Sequence, residues 1–268
     1  MRTKRALFPA LLRYWRNRCG MSQLDVALTA DVSSRHVSFL ETGRAQPSRE
    51  MVLRLAAALR VPLRDRNTML HAAGFEDEFP EPDVAEGLPE PVRHAIDRML
   101  AQHEPFPLVV MNRYYDVQLA NRSATRLLPL FVADPSALTP PLNAFRLMFD
   151  PRLGRPFVVD WGRAARNLLS RLQLEALAHP SDPGLAQLID QLLEYPGVPE
   201  TWRHPDFSVP NDFILTFRMR REELEVAFIT TMTVFSAPGN VTLDELRIES
   251  YFPVDSNTEE VCKRLASG

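Results

Sequence analysis

The chain has 268 residues, 45% hydrophobic and 24% charged, a globular composition long enough for one large or two modest domains that excludes disordered, collagen-like and coiled-coil classes. Its formal charge of −3 argues at first sight against a nucleic-acid partner, but the total hides unlike parts: residues 1–75 carry +8, 76–92 carry −7 and 93–268 carry −4. Two distant cysteines, Cys19 and Cys262, exclude a disulfide framework or a paired-cysteine zinc site, and no apolar run approaches the ~18 residues of a membrane span, so a cytoplasmic protein without a membrane partner is expected.

Leu7, Leu11, Leu12, Tyr14 and Trp15 recur at helical spacing and predict a first helix stopping near Cys19-Gly20. Ser22, with Asp25 three residues on, caps a second short helix whose Leu24, Ala27 and Leu28 are expected to supply a buried face. Ser33 caps a third, ended by Gly43, with Val37 and Leu40 facing inward. A fourth starts at Ser48 behind Pro47, and a fifth follows Val61-Pro62 to Gly74. Two capped helices joined by about four residues, followed by a helical pair, are the proportions of a helix-turn-helix domain over 1–75.

The string Met21-Ser22-Gln23-Leu24-Asp25-Val26-Ala27, then Val32-Ser33, Val37-Ser38, Leu40-Glu41-Thr42-Gly43-Arg44, Pro47-Ser48 and Leu55-Ala56-Ala57-Ala58-Leu59 resembles the XRE group of Cro/C1-type helix-turn-helix regulators. It departs at Asp31, where the turn usually carries Gly; aspartate is among the residues that tolerate a left-handed backbone. The resemblance implies a homodimer on a double-stranded DNA operator, with the helix opened by Ser33 in the major groove. Carried over position by position, Ser34, Arg35 and Phe39 face bases with Ser38 nearby, Arg35 gripping guanine O6 and N7 together. Arg16, Gln23, Thr42, Arg44 and Arg49 hold phosphates.

Glu76-Asp77-Glu78-Phe79-Pro80-Glu81-Pro82-Asp83 cannot bury enough surface to fold alone, so 76–92 reads as an acidic, proline-containing linker. It is either a solvated spacer or a strap that competes with DNA phosphates for the basic head.

From 93 onward the pattern mixes. A helix through Val92, Ile96 and Leu100 precedes a hairpin, Pro107–Met111 with Tyr115–Leu119, and Asn121 caps the next helix. Helical segments follow around Leu142–Phe149, Asp160–Ala178 and Pro183–Glu194, then strands at Phe213–Met219, Leu224–Thr230 and Leu246–Phe252. Alternation is expected to place Phe213, Leu215, Phe217, Val226, Phe228, Leu246 and Ile248 on one face. Five strands and intervening helices make an α+β, PAS-like domain with a five-stranded antiparallel sheet.

This order, with Phe145-Arg146-Leu147-Met148-Phe149-Asp150-Pro151, Asp160-Trp161, Asp182-Pro183 and Trp202-Arg203-His204, resembles the MmyB-like ligand-binding domain. His204 stands one residue earlier than the family's Trp-x-x-His. The resemblance implies a pocket for a small apolar, fatty-acyl-like effector, lined by Phe145, Met148, Trp161, Trp202, Phe213 and Phe228, with Arg163 or Arg166 receiving a carboxylate. No phosphate loop, His-Glu-x-x-His or nucleophile elbow occurs, so no catalysis and no required cofactor are expected. The expectation is a ligand-responsive transcriptional regulator; the other reading is a helix-turn-helix used for protein contact, with the body as a dimerisation scaffold.

Overall fold

Serine side chains start three helices of the N-terminal unit, and glycines in the left-handed region follow three of its helices. The computed structural model describes residues 7–84, 87–178, 182–204, 216–236 and 238–267. Within it lie α1 (Leu7–Arg18), α2 (Gln23–Thr29), α3 (Ser34–Glu41), α4 (Arg49–Ala58) and α5 (Leu63–Ala73). Ser22 and Asp25 form a reciprocal capping box on α2, while Ser33 and Ser48 cap α3 and α4 through the third backbone N–H onward. Asp31, the departure from the family string, takes φ 52 in the α2–α3 turn, the conformation expected of it. Leu12, Trp15, Val26, Val37, Leu40, Leu55, Met69 and Leu70 close one core. Each such side chain removed from water contributes about 1.5–3 kcal/mol.

One expectation fails here. Leu24 and Leu28 are 56% and 73% exposed, because Val26 and Ala27 form the inward face of the seven-residue α2, with Ala30 buried at its C-terminal cap.

Beyond α5 the chain forms α6 (Glu90–Gln102), β1 (Leu108–Met111), β2 (Val117–Ala120), α7 (Arg122–Leu127), α8 (Ala144–Phe149), α9 (Trp161–Ala178), α10 (Pro183–Leu193), β3 (Thr216–Arg221), β4 (Leu224–Thr233), a short α11 (Val241–Glu245) between strands, β5 (Arg247–Pro253) and α12 (Ser256–Ser267). The strands form one antiparallel sheet in the order β2-β1-β5-β4-β3, the α+β arrangement expected. Helices α8, α9 and α10 bury Phe145, Phe149, Leu169, Leu172, Leu185 and Leu192 together; α7 and α12 contribute Leu127, Val261 and Cys262 to a cluster with Val226 and Phe228. The register corrects the expected faces. Phe228, Thr230 and Met232 sit opposite Pro253, Tyr251 and Glu249, whereas Ile248 lies opposite Thr233 and therefore on the other face.

The division of the chain also differs from the sequence boundaries at 75 and 92. The first unit runs to Asp83 and takes in Phe235–Asp244, the excursion between β4 and β5; the second holds Val84–Val234 and Glu245–Gly268. Asn67 on α5 explains the first addition, because its Oδ1 accepts from the Glu78 and Phe79 amides and its Nδ2 donates to the Phe79 carbonyl at 2.7 Å. Hydrogen bonds from α11 explain the second. Val241 N–H donates to Pro80 O at 2.9 Å, Thr242 Oγ1 to Pro82 O at 2.6 Å, and the Asp244 carboxylate accepts from the Leu63 amide at 3.0 Å. Pro62 precedes α5 without a side-chain cap of its own, so Asp244 supplies the missing acceptor.

Candidate nucleic-acid interface and ligand cavity

The Ser33 cap starts α3 so that Ser34 and Arg35 project from its first turn into solvent, while Val37 and Leu40 anchor the opposite face. Phe39 is half-buried between two cations: the guanidinium carbons of Arg35 and Arg44 lie 5.2 and 6.0 Å from its ring centroid. Such contacts are worth about 0.5–1 kcal/mol at exposed sites, enough to bias where two long side chains rest. Thr42 is exposed, and its hydroxyl donates to the Ser38 carbonyl at 2.8 Å, beside the half-buried Ser38. Arg49 opens α4, exposed and paired with Glu78.

Two expected phosphate contacts are corrected. Glu41, at the end of α3, is 3% exposed, and its carboxylate accepts from Arg16 Nε at 2.6 Å, Arg16 Nη2 at 3.1 Å and Gln23 Nε2 at 2.7 Å. Arg16 is thus committed to a buried carboxylate that would otherwise be too costly to keep charged, and the Gln23 amide nitrogen is committed with it. Sequence reasoning missed Glu41 as their partner, although an acid at the inward end of α3 was the available signal.

In the second unit, β3, β4, β5, α8 and α9 enclose a cavity of about 210 Å³. Phe145, Met148, Val158, Leu168, Phe217, Met219 and Met232 make its wall apolar, and Arg171, Thr230, Glu249 and Tyr251 add a polar patch. The Tyr251 hydroxyl donates to Glu249 at 3.1 Å. Burial pushes the Glu249 carboxyl up, against the hydroxyls of Thr230 and Tyr251 and the Arg171 charge, which pull it down. Burial also raises the Tyr251 phenol, with Glu249 acting in the same direction. The Tyr115 ring, edge-on to Phe145 at 4.6 Å, sends its hydroxyl to Glu175 at 2.8 Å, and Glu175 also pairs with Arg247. A wider groove of about 450 Å³ beside α8 and α10 is polar, and its buried acid Asp150 is already closed by Arg152.

Of the expected lining residues, Phe145 and Met148 are on the wall. Trp161 is not: its indole donates to the Met148 carbonyl at 2.8 Å while the ring packs on Phe149, Trp202 and the Arg155 guanidinium. Trp202 shares that aromatic cluster, and Phe228 is buried against the Tyr251 ring in the neighbouring core. Arg163 is 61% exposed and pairs with Asp160; Arg166 lies over Trp202. The cavity's arginine is Arg171, which shares a face of α9 with Leu168 three residues earlier. Phe213, and Leu215 with it, lies outside the described residues. Glu249 and Tyr251, two apart on one strand, were the signal for the polar patch, but only the pairing of β5 with β4 brings Thr230 to them.

Among the described residues no helix is long and apolar enough to cross a membrane, and no group of three His, Cys, Asp or Glu side chains is placed to hold a metal. Residues 92–265 match the family model described as MmyB-like transcription regulator ligand binding domain, and residues 12–65 match the helix-turn-helix model. Comparison with curated proteins yields no match. Among solved structures the chain is similar to "Structure of an RNA-binding Light-Oxygen-Voltage Receptor" at 14% identity and a TM-score of 0.28, over 96% of this chain and 57% of that one; it spans little more than half that receptor's length.

Proposed function

The chain belongs to the MmyB-like transcription regulators, with a DNA-binding helix-turn-helix ahead of their ligand-binding domain, and from this we propose that it binds a specific operator as a homodimer and that an apolar effector modulates the binding. The observation that carries the reading is α3 itself. Its exposed first turn, Ser33 to Arg35, and the Arg35–Phe39–Arg44 cluster offer a bidentate donor beside an apolar ring, suited to a guanine next to a thymine methyl. Arg44, Thr42 and Arg49 flank it as phosphate holders, and a two-fold dimer places two such helices on half-sites about one helical turn apart.

The cavity supports an effector with an apolar body, fatty-acyl in character, and one polar end met by Arg171, Thr230, Glu249 and Tyr251. Occupancy shifts operator affinity only by as much as the effector prefers one state of the protein.

A duplex selected from random sequence by the full chain provides the test. Arg35→Ala is expected to weaken binding to that duplex roughly 10- to 100-fold and to leave binding to unselected duplex nearly unchanged. Equal loss on both would reduce Arg35 to a non-specific charge and refute the reading. Exposure of Leu24 and Leu28 on α2 favours a second use of the same unit in protein contact; in that case the chain selects no DNA sequence at all.

A further inference from the structure

The segment Glu76–Asp83 has the composition of a spacer but not the placement of one. Asn67 fixes the backbone at Glu78 and Phe79, Phe79 lies under the Arg66 guanidinium at 5.8 Å, and α11 holds the carbonyls of Pro80 and Pro82. With the backbone tied down, three acids in succession meet basic side chains of the same unit: Asp77 at His71, 2.9 Å, Glu78 at Arg49 and Glu81 at Arg64. Arg49 is the consequential one. It stands at the first position of α4, where the exposed N–H groups of the helix start and the guanidinium together suit an anion, and it is among the residues read above as phosphate holders.

We propose that this acidic strap is an internal competitor for DNA phosphate: the Glu78 carboxylate occupies Arg49 in the free protein and must leave before a phosphate can take its place. The inference rests on the DNA-binding reading of α3 and α4. Both partners are partly exposed, so the pair is weak and a phosphate displaces it readily; the strap attenuates affinity without blocking it. Competition of this kind acts on every duplex alike, because phosphates carry no sequence. It therefore lowers the affinity for operator and for unselected duplex by the same factor and leaves the ratio between them unchanged. The excursion that grips Pro80 and Pro82 joins β4 to β5, two strands that line the cavity, so the clamp on the strap is continuous in the chain with the effector site.

The test uses the full chain and a short random-sequence duplex, with binding followed by fluorescence anisotropy at low salt. Glu78→Gln is expected to tighten binding about two- to fivefold. Glu76→Gln removes the same charge from an exposed neighbour in the strap and is expected to change it little. In an Arg49→Ala background the gain from Glu78→Gln should disappear. Equal gains from Glu76→Gln and Glu78→Gln, or a gain that survives Arg49→Ala, would reduce the strap to a diffuse negative charge and overturn the proposal. If the unaltered chain does not bind duplex at low salt, the DNA-binding reading falls and this inference with it; if it binds and Glu78→Gln changes nothing, only the inference falls.

Discussion

At Glu41 one carboxylate gathers three side chains, those of Arg13, Arg16 and Gln23. Burial pushes its pKa up, but hydrogen bonds from Arg16 and Gln23 and the charges of Arg16 and Arg13 outweigh burial, and the net direction is down. A carboxyl lowered below its unfolded value, ~4.3, stabilises the fold above that pH, and the stabilisation is lost as pH falls through the folded value. Amide protection in α1 to α3, taken relative to the unstructured chain at the same pH, should therefore fall below about pH 4. Glu41→Gln should remove that acid sensitivity and lower the stability of the helix-turn-helix unit at neutral pH by about 3 kcal/mol, since it strands a largely buried Arg16. Protection that falls equally with pH in the variant would show that another group carries the titration. The family string contains Glu41, Arg16 precedes it and Gln23 falls within it, yet their mutual contact was not legible there, because residues 18 to 25 apart meet only after three helices have packed.

Whole elements were legible where the punctuation was local. The helices of the N-terminal unit announced themselves by Ser22, Ser33 and Ser48 and by glycines whose φ of 64°, 71° and 91° at Gly20, Gly43 and Gly74 other residues rarely adopt. Helix α12 went unread although Thr258, Val261 and Cys262 repeat at helical spacing behind Asp255, which accepts from the Thr258 amide at 2.8 Å. Five-residue α11 is too short for any period to show. Asn121 was legible as a cap, but its larger role was not. Its Oδ1 accepts from the amides of Ala124 and Leu108, and its Nδ2 donates to the Phe106 carbonyl at 2.8 Å, so one buried side chain ties the start of α7 to β1 and the turn before it. Asn121→Ala leaves those backbone groups without a partner and should cost the ligand-binding unit about 3 kcal/mol. Urea unfolding followed by the near-ultraviolet dichroism of the Trp161–Trp202 pair measures it; an unmoved midpoint would mean water replaces the amide at no cost.

For the molecule as a whole, the sequence divided the chain into head, linker and body in succession, whereas the head is assembled from two distant stretches. Charge and proline content marked the strap correctly as a composition boundary but could not show what holds it, since Asn67, Val241 and Thr242 carry no pattern. Asp244 and Glu245 are adjacent in α11 and serve different units: Asp244 caps α5 and lies near Arg66, while Glu245 pairs with Arg113, itself buried against Asp182. Asp244→Ala should behave like loss of a helix cap, about 1 kcal/mol, and should appear as faster hydrogen exchange confined to the first turn of α5, some 180 residues from the substitution. Exchange unchanged in α5 would show that the Leu63 amide finds water as good an acceptor.

That distant cap also sets an order of assembly. A chain emerging from the ribosome presents α1 to α5 early, but the Leu63 amide has to wait for Asp244, and with it for β3 and β4. The helix-turn-helix unit reaches its finished form only after most of the ligand-binding domain has been made. A product that terminates before Phe235 carries α1 to α5 yet lacks both the Asp244 cap on α5 and the bonds from Val241 and Thr242 to Pro80 and Pro82, so the first turn of α5 and the strap are where its opening is expected.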